Sequence, residues 1–411
     1  SSTRCETLNL MWKSKMAASA SNPAKRSFFS QLTRPSSWKT SSSATLGVSY
    51  PSTTAATSTN AASSSTNASS SSTDRSSLSS SISENPNIYG FAEIRLATNN
   101  FLAKPYSSSS KCWRCSLRGA DTIVFQRKVA RKLLVSEIKK RLAVLCRSNH
   151  TSVVKLLGVS VSGEYMYLVY DFITGVNLSD CLRNRANPNF TILSSWISRI
   201  QVASDIAHAL DYIHHKTGLK LFLFHKYLKT SGIVISESSL TARICHFGTA
   251  FLCGEDDEAD GWKDQSFEGV RGYMSPEFQK TGVPSQESDV YAFGVVILEL
   301  ISAEEPFRFQ YEILKKEFVR SSLIEEANVA VNGGTARLRT WVDRRLGDSF
   351  PVDVVERLVR LALECVDVEP SKRPDMSRVA GKVSKMFLAS HVWSERIRLP
   401  HAEISVSLAP R

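Results

Sequence analysis

Ser288-Asp289-Val290-Tyr291-Ala292-Phe293-Gly294 opens the longest apolar stretch of the chain, which runs from Val290 to Ile301 and is broken only at Gly294 and Glu299. A helix that is apolar all round must be buried all round. The stretch therefore predicts a central helix on which neighbouring elements pack. Upstream of it stand three short signatures in order: His225-Lys226-Tyr227, His246-Phe247-Gly248 and Ser275-Pro276-Glu277.

Further toward the start of the chain, Tyr89 to Phe101 reads as a short amphipathic helix. Phe91, Ile94 and Ala97 or Thr98 share one face, and Asn99-Asn100 ends it. Residues 111–129 read as two strands joined at Arg118-Gly119-Ala120-Asp121. Lys132 to Cys146 reads as a helix, with Leu134, Ile138, Leu142 and Leu145 at spacings of three and four. Val153–Gly158 and Tyr165–Tyr170 carry the β-branched and aromatic residues of strands. Trp196–His214 and Asp353–Val366 each place an apolar stripe at helical period. Strands first and helices after predict an α+β fold in two lobes.

Composition sets the outer limits of this fold. Among 411 residues, the first 83 or so are dominated by Ser, Thr, Ala and Asn. Such a segment buries too little apolar surface to offset its ordering entropy, so disorder is expected. It carries eight basic and two acidic residues, against forty-three and thirty-seven in the remainder. The tail reads first as a solvated linker. Its Ser-rich, acid-poor composition is also that of an organelle transit peptide, or of a segment attracted to anionic lipid or nucleic acid. Nucleic acid is the weakest of these partners, because few aromatics are interleaved with the charges. Eight scattered cysteines without a paired framework predict reduced thiols. Cys112-x-x-Cys115 lacks a second pair at zinc spacing, and its offset puts the two thiols on opposite faces of a strand. No apolar run reaches the roughly 18 residues of a membrane span. The chain does not begin with Met, so a preceding portion is expected.

The ordered signatures identify the resemblance. Residues from about 88 to 388 resemble the plant receptor-like kinase family. Tyr212-Ile213-His214-His215-Lys216-Thr217 and the run from Asp343 to Pro351 are most similar to its LysM-type members. The resemblance implies a bilobal protein-kinase-like fold. Its small β-rich N-lobe with one main helix covers 84–170, and its larger helical C-lobe covers 171–388. Tails of 1–83 and 389–411 flank the two lobes.

The same resemblance shows which catalytic groups have changed. Family kinases cover nucleotide phosphates with a G-x-G-x-x-G loop, whose counterparts here are Pro105, Ser107 and Ser110. Aligning Ile123-Val124-Phe125-Gln126 with V-A-I-K puts Gln126 where the phosphate-gripping lysine belongs. The helix glutamate that pairs with that lysine becomes Arg141, while Glu137, one turn earlier, is a candidate to pair with Lys128. The catalytic-loop aspartate becomes Tyr227, and a phenol with a pKa near 10 is a poor base at neutral pH. The metal-binding asparagine becomes Gly232, and the magnesium-binding aspartate becomes His246. Magnesium favours oxygen ligands over imidazole, so no metal site is expected. Lys229 alone survives of the catalytic set.

The scaffold positions survive. Leu145, Leu156, His225 and Phe247 match the family's apolar column between the lobes, and Asp289 matches its buried anchor. Glu277 and Arg373 match the ion pair that ties the activation segment down. Cys112, Val124 and Val234 match the walls of the adenine slot. Glu255-Asp256-Asp257-Glu258 and Asp260 form an acidic cluster that substitutes for an ordering phosphate near Lys226 or Arg271, or else is a solvated loop. Together these features predict a pseudokinase that requires no cofactor, with ATP binding possible without strong magnesium dependence. Its expected partners are receptor-like or cytoplasmic protein kinases, at the inner face of the plasma membrane, or in a plastid if the tail is a transit peptide. The rival reading is a slow Ser/Thr kinase in which Lys111 or Lys128 reaches the phosphates.

Overall fold

The computed structural model describes residues 87–106, 111–186, 192–217, 224–226, 228–255, 272–312 and 317–398. Contacts divide the chain into Ser1–Ser77 and Leu78–Arg411, and every described residue lies in the second unit.

Five strands form the first sheet: β1 (Asn87–Ile88), β2 (Cys112–Leu117), β3 (Ala120–Lys128), β4 (Leu156–Ser162) and β5 (Tyr165–Asp171). Their order is β1-β4-β5-β3-β2, with only β1 and β4 parallel. Arg118 and Gly119 join β2 to β3 with φ of 51° and 82°. Two consecutive positive φ values make the tight hairpin turn whose twist matches the strands.

The sheet is covered on both faces. Helix α1 (Phe91–Ala97) lies over one face, where Tyr89, Ile94, Cys115, Leu117, Val124, Tyr167 and Val169 are buried together. Helix α2 (Val135–Arg147) packs on the other through Ile138, Leu142 and Leu145, in a core that includes Cys112, Phe125, Leu168 and Tyr170. Cys112 and Cys115 thus fall on opposite faces, and both are buried.

Helix α2 begins at Val135, three residues later than its periodicity predicts. The Ala130 amide donates to the Cys253 carbonyl at 3.0 Å, which keeps the preceding connection extended. Leu134 consequently leaves the apolar stripe and is 74% exposed.

Helices dominate the rest. Short α3 (Leu178–Arg183) precedes α4 (Trp196–Asp211), whose last turns widen over Tyr212–Lys216. Strands β6 (Gly175–Asn177), β7 (Ile233–Ser236) and β8 (Ala242–Ile244) form a small antiparallel sheet. One-turn α5 (Thr249–Leu252) and α6 (Pro276–Thr281) lead to α7 (Gln286–Ser302). Ser285 and Ser288 cap α7 reciprocally, and Val290–Ile301 is buried apart from Tyr291, as an all-apolar helix must be. A hairpin of β9 (Phe307–Glu312) and β10 (Glu317–Ser322) follows. The chain continues as α8 (Leu323–Asn332), α9 (Gly334–Trp341), α10 (Val352–Cys365) and α11 (Met376–Arg398).

The C-terminal boundary at 388 is corrected by α11, which continues to Arg398. Ser390 is fully buried and accepts a 2.8 Å hydrogen bond from the Trp196 indole, so these last turns belong to the large lobe. Among the described residues, no helix is long and apolar enough to cross a membrane.

Candidate functional site

The cleft is anchored from below by Asp289 at the start of α7. Its carboxylate accepts from the backbone amides of His225 and Lys226, the latter at 2.8 Å, and lies 3.2 Å from His214 Nε2. His225 Nε2 donates to the Cys245 carbonyl at 2.7 Å, joining this loop to the strand that leads into His246. Leu145, Leu156, His225 and Phe247 are each no more than 2% exposed. A Cβ on Gly248 would lie 2.6 Å from Leu145 Cδ1, so the turn packs directly on α2. Glu277 and Arg373 form a two-pronged ion pair with both contacts at 2.7 Å. Burial pulls the Glu277 carboxyl up, and the bonds from Arg373 and Ser275 more than offset it, leaving it below the usual range.

The parity of β3 corrects two expected site positions. Val124 faces α1 and is wholly buried in the outer cluster, so it is not a wall of the adenine slot. Gln126, on the same side, donates to the Tyr167 hydroxyl at 3.3 Å. Alternation puts Phe125 and Arg127 on the cleft side instead. Val124-Phe125-Gln126-Arg127 therefore takes the V-A-I-K places, with phenylalanine for the small alanine and arginine for the lysine.

Phe125 occupies the space this substitution gives it. Its ring stands edge-on to His246 at 4.4 Å between centroids and to Tyr170 at 5.9 Å. Cys112, 1% exposed, is its register partner on β2. Tyr170 closes the back of the group by donating to the Phe247 carbonyl at 2.8 Å. At the cleft mouth, the Tyr106 amide bonds the Cys112 carbonyl at 2.8 Å, and its ring lies 5.4 Å from that of Phe172. Val234 is half-buried on β7.

His246 sits in this aromatic group with φ of 68°. Burial, then the charges of Arg127, His225 and Lys229, push its pKa well below the usual range, so the imidazole is neutral. Its Nδ1 is buried without a hydrogen-bond partner among the described residues. Burial, with Arg127 second, also holds the Lys229 ammonium below its ordinary range.

Arg141, the expected counterpart of the family's helix glutamate, carries the opposite charge. It donates to Glu137 at 2.7 Å and to the Phe251 carbonyl at 2.5 Å, and its guanidinium lies 4.5 Å from the Phe251 ring centre. Glu137 is thus held within its own helix and does not pair with Lys128, which lies 3.7 Å from Glu164. Lys128 shares the outward parity of Gln126 and is directed away from the cleft.

Gly232 closes a turn and offers only backbone; its carbonyl accepts from Cys245 at 2.9 Å. Among the described residues, no three of His, Cys, Asp and Glu converge to hold a metal ion. At the two places where the fold family holds magnesium, His246 offers an imidazole and Gly232 no side-chain oxygen, so these two residues do not fit that ion. Lys226 and Glu255 form a buried ion pair at 2.6 Å, with side chains 2% and 3% exposed. Tyr227, Ser107, Ser110, Arg271 and the rest of the acidic cluster lie outside the described residues.

Comparison with known proteins gives the family of this fold. Residues 123–383 match the family of protein tyrosine and serine/threonine kinases. The chain belongs to the protein kinase family. Among curated proteins it is similar to LysM domain receptor-like kinase 3 of Arabidopsis thaliana, 30% identical over 318 residues, covering 75% of this chain and 48% of that protein. It is 28% identical to Protein LYK5 of the same plant, over 76% of this chain and 45% of that protein. Wall-associated receptor kinase 5, also from Arabidopsis thaliana, is 30% identical over 64% of this chain and 34% of its own length. The chain thus spans about half the length of the LysM-type relatives it matches. Its kinase fold is similar to the pseudokinase domain of BIR2, an immune regulator of the RLK/Pelle family, with a TM-score of 0.55 at 23% identity, covering 75% of this chain and 87% of that one.

Phe125 and Arg127 are the residues that sequence reasoning missed. The signal was present in Arg127 itself: setting the motif one residue later retains a cation at the lysine place.

Proposed function

We propose that this domain is a pseudokinase, a signalling partner of active receptor-like or cytoplasmic protein kinases that performs little or no phosphoryl transfer itself. The observation that carries the proposal is the Phe125 ring packed on His246 at 4.4 Å. A benzyl group fills the slot at the alanine place, and the residue it touches replaces the magnesium-binding aspartate. Phosphoryl transfer depends almost wholly on positioning and electrostatics. A cleft with Arg127 and Arg141 at the lysine and glutamate places, and with His246 and Gly232 at the metal places, supplies neither.

A binding role uses what remains. The apolar column, the Asp289 anchor and the Glu277–Arg373 pair keep the lobes and the segment at Ser275-Pro276-Glu277 in kinase form. That surface is what a partner kinase would recognise, at the inner face of the plasma membrane. No cofactor is needed for such a role, and any ATP binding would proceed without strong magnesium dependence.

The test is incubation of the purified chain with labelled ATP and Mg²⁺ or Mn²⁺, alongside Lys229→Ala. The expected result is incorporation at background in both proteins. Transfer that the substitution abolishes would establish the rival, a weakly active Ser/Thr kinase.

A further inference from the structure

Between residues 127 and 147 the chain carries eight basic residues and one acid. From 84 onward, everything outside that segment carries thirty-five basic and thirty-six acidic residues. The positive excess of the folded region is therefore concentrated in one place, at β3 and α2.

The structure shows how these charges are disposed. Ile138, Leu142 and Leu145 turn inward, so the other side of α2 faces solvent. Val135, Lys139, Ala143 and Arg147 fall in one row at i, i+4 spacing, with Ser136 and Lys140 beside it. The row is about 18 Å long at 1.5 Å per residue. Lys132, Lys139, Lys140 and Arg147 are all exposed, and among the described residues none of the four forms an ion pair. The one acid, Glu137, is engaged by Arg141 at 2.7 Å and Arg131 at 3.7 Å, so it does not cancel the free cations.

At the head of this row stand two aliphatic side chains in water. Leu134 is 74% exposed and Val135 is 62% exposed. Isolated exposed apolar residues are ordinary. An adjacent pair flanked on both sides by unpaired cations is the composition of a surface that rests on an anionic bilayer. Three of the four cations are lysines, point charges suited to a diffuse layer of headgroups rather than to two-pronged recognition of single carboxylates.

We propose that the exposed face of α2 is a docking surface for an anionic lipid bilayer. Lys132, Lys139, Lys140 and Arg147 sit over the headgroups, and Leu134 and Val135 enter the boundary with the acyl chains. The proposal does not depend on whether the cleft is catalytically dead.

The test is flotation of the full chain with phosphatidylcholine vesicles containing about 30 mol % phosphatidylserine. Replacing all four cations (K132Q, K139Q, K140Q and R147Q) is expected to lower partitioning roughly 100- to 1,000-fold, given about fivefold per cation. The melting temperature should stay constant, because among the described residues none of the four forms an ion pair. L134S/V135S is expected to lower partitioning about tenfold and to remove what binding persists when salt screens the charges. Both comparisons are repeated in a chain whose eight tail cations are changed to Gln, which separates this face from the tail. Binding that falls only when the tail is neutralised, with both sets of α2 changes silent, overturns the proposal. Retention of the chain on soluble polyglutamate without partition into vesicles also overturns it, in favour of an acidic protein partner.

Discussion

Phe125→Ala is the most informative single change in this molecule. The ring is 8% exposed and touches His246 and Tyr170. Truncating a core phenylalanine costs about 3–5 kcal/mol. Because the emptied space adjoins the cleft and can admit water, about 3 kcal/mol is expected. For a domain of this size that lowers Tm by about 6 °C, at roughly 2 °C per kcal/mol. The same truncation restores alanine at the V-A-I-K place and opens the slot. A nucleotide at a hundredfold over its Kd would then return about 2.7 kcal/mol, or about 5 °C. Because His246 and Gly232 offer magnesium no side-chain oxygen, the recovery should be nearly equal with and without Mg²⁺. Thermal denaturation of wild type and F125A, with ATP, ATP·Mg²⁺ and buffer alone, reads all of this. A wild-type shift as large as that of the variant would show that the ring does not close the slot. A shift that appears only with Mg²⁺ would show that a metal site exists.

Three further outcomes follow from the packing. Glu277→Ala should destabilise by about 3–5 kcal/mol, since it leaves the fully buried Arg373 side chain uncompensated, whereas E277A/R373M should recover most of the loss in denaturant titrations. Glu299 is fully buried, and burial raises its carboxyl to about 7 from 4.5 despite Arg183 at 2.8 Å. Between those two values the folded state holds a proton that the unfolded state has released, so stability should fall as pH rises from about 5 to 7. The full loss is at most about 3 kcal/mol, and Glu299→Gln should flatten that slope in melts across the pH range. Ending the chain after Leu388 should cost about 1–3 kcal/mol through the unpaired Trp196 indole alone, read by urea titration, and an unchanged midpoint would restore the shorter lobe boundary.

Much of the fold was legible because its signals are local. The apolar run from Val290 to Ile301 could only be a buried helix, and Arg118-Gly119 could only be a turn between two strand-like segments. The order of signatures placed the column, the anchor and the tie, and each is a short run whose meaning does not depend on its neighbours. Helix ends were less legible. Val135 and Arg398 replace Lys132 and 388 because a long-range bond to Cys253 delays one helix, and burial of Ser390 against Trp196 extends the other.

From the sequence alone came the two-lobed kinase plan, together with the expectation that Tyr227, Gly232 and His246 stand where the family has its catalytic aspartate, asparagine and metal-binding aspartate. Tertiary structure alone decided which side of β3 faces the cleft. A strand's side chains alternate, so a slip of one residue exchanges every inward group for an outward one. Within Ile123-Val124-Phe125-Gln126-Arg127 only the cation at Arg127 favours one register, and the apolar residues before it suit either face. Pairing with β2 and β5, and the helix laid over Val124, turn Phe125 and Arg127 inward and so determine what the cleft can hold.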